Sequence, residues 1–235
     1  MPFSRTIFLW KFQICYNCPQ HPETTLKKIK IILAALISLL PLNGLRVLGY
    51  RLLGYQIRGA RIGFGTIIAV DEAILESCKV GPFNLFAGPM KIHIQREASI
   101  CNRNEFICGY WVLQDEYKDR HYARSLEVCS EALITSRHYF DLSGALVLGE
   151  RSWIAGIDSQ FWTHGAGVEE RDIRVGSGCY IGSAVRFSPG SSIGNDVIVA
   201  MGSVVSGNLP ENNALLGGVP AKVLKSNYNW KERNA

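Results

Sequence analysis

Three side chains in this chain have types and settings suited to moving a proton: His164, His138 and Asp141. His164 closes the run Ser159-Gln160-Phe161-Trp162-Thr163-His164-Gly165, and a polar loop, residues 166–174, follows at once. A neutral imidazole is the natural general base near pH 7 and can take a proton from a hydroxyl or an amine. The aromatic neighbours set His164 apart from an ordinary surface histidine. His138 has Asp141 three residues on, in Ile134-Thr135-Ser136-Arg137-His138-Tyr139-Phe140-Asp141. No Ser-His-Asp order with an elbow motif is visible, so no covalent intermediate on the protein is required. Cys15-x-x-Cys18 with His21 has half the spacing of a zinc site, but no second ligand pair follows, and no metal is expected.

The elements that must position these residues repeat every six residues. Val175, Ile181, Phe187, Ile193, Val199 and Val205 are apolar, and Gly176, Gly182, Ser188, Gly194, Ala200 and Ser206 follow them. Six is neither a helical period nor a two-residue alternation. It describes a short straight segment and a corner, and three such units close a triangular coil with the apolar residue pointing inward. The same spacing begins earlier with Ile62, Ile68, Ile74, Val80, Phe86 and Ile92. It resumes at Val128, Ile134 and Phe140, then slips by two to Leu148, Ile154 and Gln160, which places a bulge near Ser143–Gly144. Residues 108–125 and 166–174 break the repeat and read as insertions. His138 and His164 both fall on corners, which are expected to point outward. The expected fold is therefore an all-β solenoid over residues 57–209, with a tail at 210–235.

Residues 26–56 precede the coils. Ile31 to Ile37 is unbroken apolar sequence, and Leu45, Val47, Leu48, Leu52 and Leu53 continue at helix-like spacing. The run is too short to span a bilayer. No Asp or Glu occurs from Leu26 to Val70, whereas Lys27, Lys28, Lys30, Arg46, Arg51, Arg58 and Arg61 do. Helices lying in a membrane interface, with peripheral contact through 26–53, fit this pattern, as does a cap on the first coil. No aromatic-basic interleaving accompanies the charge, so no nucleic-acid partner is expected. Residues 1–25 read as an extension.

The chain has 235 residues, 47% of them hydrophobic, and a formal charge of +5. That suits one solenoid and an appendage. The seven cysteines are odd in number and irregular in spacing, which points to reduced thiols and a cytoplasmic setting, at the inner face of the membrane if the helices bind there.

The stretch from about Leu148 to Lys225 resembles the hexapeptide-repeat acyltransferases, and within them the maltose, galactoside and xenobiotic O-acetyltransferases. The resemblance is carried by Thr163-His164 before a loop, by Val175-Gly176-Ser177-Gly178-Cys179-Tyr180-Ile181-Gly182, by the run from Ser191 to Val205, and by Gly217-Gly218-Val219-Pro220-Ala221-Lys222. It implies a left-handed parallel β-helix, a homotrimer with sites between subunits, and direct transfer from acetyl-CoA with His164 as base. It also implies that CoA runs past Gly182, Ser183, Ala200, Gly202 and Ser203, with Lys222 near its phosphates. The segment around His138 looks more like a subgroup associated with bacterial surface polysaccharides. There His138 and Asp141 would shape the acceptor pocket, or form no more than a local corner hydrogen bond. The expected activity is acetylation of a sugar hydroxyl on a lipid-linked or surface glycan. The alternatives are a soluble acetyltransferase for a small sugar or xenobiotic, a zinc enzyme like the β-helix carbonic anhydrases, and a scaffold without catalysis.

Overall fold

Six-residue steps build three flat faces, and each face is a column of parallel strands. In the computed structural model, which describes residues 23–231, the inward residues of the first face are Ile62, Val80, Ile100, Ile134, Ile154, Ile181, Val199 and Leu216. The third face stacks Ile57, Leu75, Ile94, Val128, Leu148, Val175, Ile193 and Leu209. The second face stacks Ile68, Phe86, Phe106, Phe140, Phe161, Phe187 and Val205. Its five phenylalanines lie ring on ring, with centroids 4.4, 4.4, 4.8 and 4.8 Å apart. Such contacts add about 0.5–1.5 kcal/mol per pair beyond the area they bury. The expected all-β solenoid with an N-terminal helical segment is present.

Two of the expected inward positions are corrected. Ile74 is only partly buried, while its neighbours Ala73 and Leu75 point in. A register shift between Val70 and Glu72 turns the chain over before it reaches Ile74. Gln160 faces out and Phe161 faces in, because seven residues rather than six separate the inward positions Ile154 and Phe161. At the expected bulge, eight residues separate Phe140 from Leu148, and the added length holds the buried Leu142 and Ser143.

One corner carries a polar ladder through the interior. Thr66, Asn84, Asn104, His138 and Ser159 each stand two residues before the inward residue of the second face, and all are buried. Each side chain accepts the backbone N–H of the next coil's rung: Asn84 to Thr66 (3.1 Å), Asn104 to Asn84 (2.9 Å), His138 to Asn104 (2.9 Å), Ser159 to His138 Nδ1 (3.1 Å) and Val185 to Ser159 (3.2 Å). Corner amides have no strand partner there, and an unpaired buried amide costs about 1–3 kcal/mol.

The two helices, α1 (Glu23–Ser38) and α2 (Asn43–Leu52), close the open edge of the first coil. Asn43 Oδ1 accepts Ile62 N–H at 2.8 Å, and Arg46 Nε donates to Ile62 O at 2.9 Å. Tyr50 Oη donates to Thr66 O at 2.7 Å, Tyr55 Oη accepts Val70 N–H at 3.1 Å, and Lys30 Nζ donates to Val70 O at 2.8 Å. These bonds occupy groups that would otherwise offer a bare strand edge to another chain. At the other end Ala221–Lys225 pairs antiparallel with Leu215–Gly218, and Trp230 packs on Tyr180.

Candidate active site

The coil that ends at Phe161 does not turn directly to its next strand. It departs through Trp162, Thr163 and His164, loops out, and returns at Ile173. Two coils earlier, with the coil of Asp141 between, the chain departs on the same side after Ile107 and returns at Ser125, with short 3-10 turns at Tyr110–Leu113 and Asp115–Tyr117. The two excursions meet. Arg171, buried in the second, lies 4.4 Å from the ring of Tyr122 in the first, and its Nη2 donates to Val168 O at 2.6 Å. Trp111 packs edge-on against Tyr122 at 5.4 Å and against His164 at 5.5 Å. Trp162 flanks the imidazole on another side at 6.3 Å.

His164 Nδ1 sits 2.9 Å from Asp141 Oδ2, with the histidine side chain 41% exposed and the aspartate 7%. Asp141 is fixed from behind. Thr163 Oγ1 lies 3.0 Å from its Oδ1 and 2.9 Å from its backbone oxygen, and the Ser143 amide lies 3.4 Å from Oδ1. Gly144 N–H donates to Thr163 Oγ1 at 2.8 Å. A side chain at Gly144 would come 2.7 Å from Arg171 Cγ, so only glycine lets the Arg171 stem cross here. The carboxylate accepts a hydrogen bond from Nδ1–H, so the neutral ring carries its lone pair on Nε2. Nε2 has no partner among the described residues. An imidazole with one nitrogen oriented by a carboxylate and the other open is the result.

His138 is different, and its expected outward placement is corrected. It is a rung of the interior ladder, 1% exposed. Nδ1 accepts Ser159 N–H, and Nε2 lies 2.9 Å from Thr135 Oγ1. The hydroxyl of Thr135 faces the carbonyl oxygens of Ile154 (2.9 Å) and Gly156 (2.7 Å), so it donates to them and accepts from His138. The ring is therefore neutral with its proton on Nε2. Burial holds its pKa down at about 4, against a smaller opposing pull from Asp158. The expected pairing of His138 with Asp141 does not occur either. The carboxylate belongs to His164.

The residues matched to the CoA path lie elsewhere on the triangle. Gly182, Ala200 and Gly217 succeed one another at the corner between the first and second faces, linked by Gly182 N–H to Val199 O and Ala200 N–H to Leu216 O, both 2.9 Å. A side chain at Gly182 would meet Met201 N at 2.8 Å. Ser183 and Gly202 share that corner, and Lys222, exposed, is registered opposite Gly217. Ser203 is corrected: it is 1% exposed and its hydroxyl donates to Ala200 O at 2.7 Å, so it faces inward. His164 stands at the next corner, between the second and third faces. The small, open corner with one lysine suits a phosphorylated chain laid along it, but one chain does not bring it against His164.

The three coil histidines stand apart, with His93 3.3 Å from Glu76 on a third site. Among the described residues no three His, Cys, Asp or Glu gather as for a metal. Cys15, Cys18 and His21 lie outside the described residues. Sequence reading missed Trp111, Tyr122 and Arg171. The aromatic character of 108–125 is the signal for Trp111 and Tyr122, and the polar loop 166–174 is the signal for Arg171.

No family model matches the chain. Over 66 residues, 28% of its length, it is 42% identical to a protein of Escherichia coli (strain K12) described as a putative lipopolysaccharide biosynthesis O-acetyl transferase, WbbJ. The match spans 33% of that relative's length. Of solved structures, the polysialic acid O-acetyltransferase OatWY is similar over 75% of this chain and 83% of its own, at 16% identity and a TM-score of 0.47. The hexapeptide-repeat acetyltransferase VCA0836 of Vibrio cholerae O1 biovar eltor, complexed with acetyl-CoA, is similar over 88% of this chain and 90% of its own, at 18% identity and a TM-score of 0.48. The chain is thus similar to acetyltransferases of the hexapeptide-repeat kind, including ones that bear the names of surface polysaccharides.

Proposed function

We propose that this chain is an acetyl-CoA-dependent O-acetyltransferase for a sugar hydroxyl on a surface or lipid-linked glycan. The observation that carries the reading is the imidazole of His164, held by Asp141 at Nδ1 and open at Nε2. Acetyl-CoA, as co-substrate, supplies an activated acetyl group. Nε2 takes the proton of the sugar hydroxyl as its oxygen attacks the thioester carbonyl, and Asp141 stabilises the imidazolium. The carbon–sulfur bond then breaks, and the proton on Nε2 goes to the leaving sulfur. Gly182, Ser183, Ala200, Gly202 and Lys222 would hold CoA. The matched stretch of the O-acetyl transferase WbbJ supports the reaction class. The ladder bonds of His138 support a structural role for it.

A homotrimer fits this reading. His164 and the CoA corner are one face apart in a single chain, and the CoA corner of a neighbouring copy brought up to His164 would complete the site. Membrane contact fits as well. Ile29, Ile32, Leu33, Leu36, Leu39, Leu42, Leu45, Leu48 and Leu52 are exposed on α1, α2 and the turn between them, and exposed apolar side chains gathered in one place mark an interaction surface. Among the described residues no helix is long and apolar enough to cross a membrane. Lys30, Arg46 and Arg51 turn back to cap the coil, so binding would come from the leucines more than from charge. The five described cysteines are free, which supports a cytoplasmic, inner-face site.

Incubation with acetyl-CoA and base-treated surface glycan tests the reading. Mass spectrometry should show one acetyl group added per acceptor residue. An absence of transfer, with no binding of acetyl-CoA by calorimetry, would refute it. Similar partitioning to neutral and anionic vesicles is expected, and failure to bind either would leave the helices as a cap alone.

A further inference from the structure

A groove of about 530 Å³ opens on the outer side of the second face, beside the His164 site. Its floor comes from the outward positions of three adjacent strands: Glu105, Tyr139 and Gln160 stand in register, on successive coils. Its wall toward His164 is Trp162, whose ring centroid is 5.0 Å from Tyr139 at a 39° tilt and 6.3 Å from the imidazole. Trp162 Nε1 donates toward Gln160 Oε1 at 3.4 Å. Arg103 and Arg137 border the groove from successive corners, with Arg137 paired to Asp158 at 3.0 Å.

We propose that this groove is a saccharide subsite, which holds the sugar unit next to the one whose hydroxyl meets His164. The inference rests on the acetyltransferase reading and deepens it. Tyr139 and Trp162 offer a broad aromatic surface for the C–H face of a pyranose ring. Glu105, Gln160 and the Arg103 guanidinium supply acceptors and donors around it, as a ring of hydroxyls requires. The charged border disfavours an acyl chain. The groove also runs up to Trp162, so an occupant there places its neighbouring sugar at Nε2. The acceptor class is therefore an oligosaccharide or longer glycan, rather than a free monosaccharide.

The test uses full-length protein and two probes: the oligosaccharide released from the surface polysaccharide and freed of acetyl by mild base, and the methyl glycosides of its constituent sugars. Tyr139→Ala and Arg103→Ala both lie away from His164. Each should raise the KM for the oligosaccharide about tenfold or more and leave the KM for acetyl-CoA unchanged, since only acceptor binding is lost. Methyl glycosides, which do not fill the subsite, should be acetylated equally by wild type and variants. Unchanged oligosaccharide KM in both variants would overturn the subsite while leaving the acetyltransferase reading intact. If wild type transfers no acetyl at all, saturation-transfer NMR decides. Oligosaccharide binding that Tyr139→Ala removes supports the subsite without the reaction, and binding that persists in both variants overturns it.

Discussion

His138 and His164 are the same side chain on two corners of one coil system, and their surroundings give them opposite work. At the corner of His138 the coils keep step. Thr66, Asn84, Asn104 and Ser159 occupy the equivalent place in neighbouring coils, so the position turns inward and its polar atoms serve the next amide. At the corner of His164 the chain has left the repeat. No ladder claims the ring, and a carboxylate from the coil beside it takes Nδ1 alone. A regular solenoid uses its polar residues up on itself. An interruption of the repeat leaves one open to a ligand, and two interruptions that pack together, through Arg171 on Tyr122 and Trp111 on His164, hold it in place.

The sharpest way to break this contrast is to remove each histidine in one transfer assay. His164→Ala should slow transfer by about 10²–10⁴-fold, the usual worth of a general base, with acetyl-CoA binding and fold retained. His138→Asn should transfer at nearly the wild-type rate, because asparagine already fills this rung at 84 and 104. The reverse result would exchange their roles.

Stability should show the opposite order. His138→Leu leaves the Ser159 amide unpaired and should cost about 1–3 kcal/mol, read as a lower urea midpoint, whereas His164→Ala should cost little. The wild type should also lose stability as pH falls. The unfolded ring takes a proton from pH 6.5 downward, and the folded one resists until about 4, so acid favours the unfolded chain across that window. His138→Asn should flatten that part of the curve. If its slope between pH 6.5 and 4 matches the wild type, His138 is not the group responsible.

A smaller effect tests the packing of Trp111 on His164. Trp111→Leu should lower kcat by about three- to tenfold through looser orientation of the imidazole, while the KM for acetyl-CoA holds. Equal kcat in variant and wild type would reduce Trp111 to packing.

Much of this was legible in the sequence. Val175 through Val205 gave their faces away because six-residue steps admit one inward position each, and His164 stood out as a histidine at a break in that rhythm. Gln160 and Ile74 were misplaced where the step is not six: a seventh residue before Phe161 and a register shift after Val70 invert the side chains that follow. His138 was misread because a corner was taken to face outward. Its true setting was written in Thr66, Asn84, Asn104 and Ser159, each two residues before an inward residue, a pattern visible only when whole coils are laid over one another. The Asp141–His164 pair was hidden for a different reason. Its members lie 23 positions apart, and the added length after each strand, not the repeat, brings them together.

The central claim is that hydrogen bonding sets the two rings in opposite neutral forms, and long-range proton–nitrogen correlation NMR reads both in one spectrum above neutral pH. His164 should carry its proton on Nδ1, with a bare Nε2, and His138 should carry its proton on Nε2, with Nδ1 accepting from Ser159. A His164 protonated at Nε2 would have no lone pair to offer a sugar hydroxyl, and the account would be wrong.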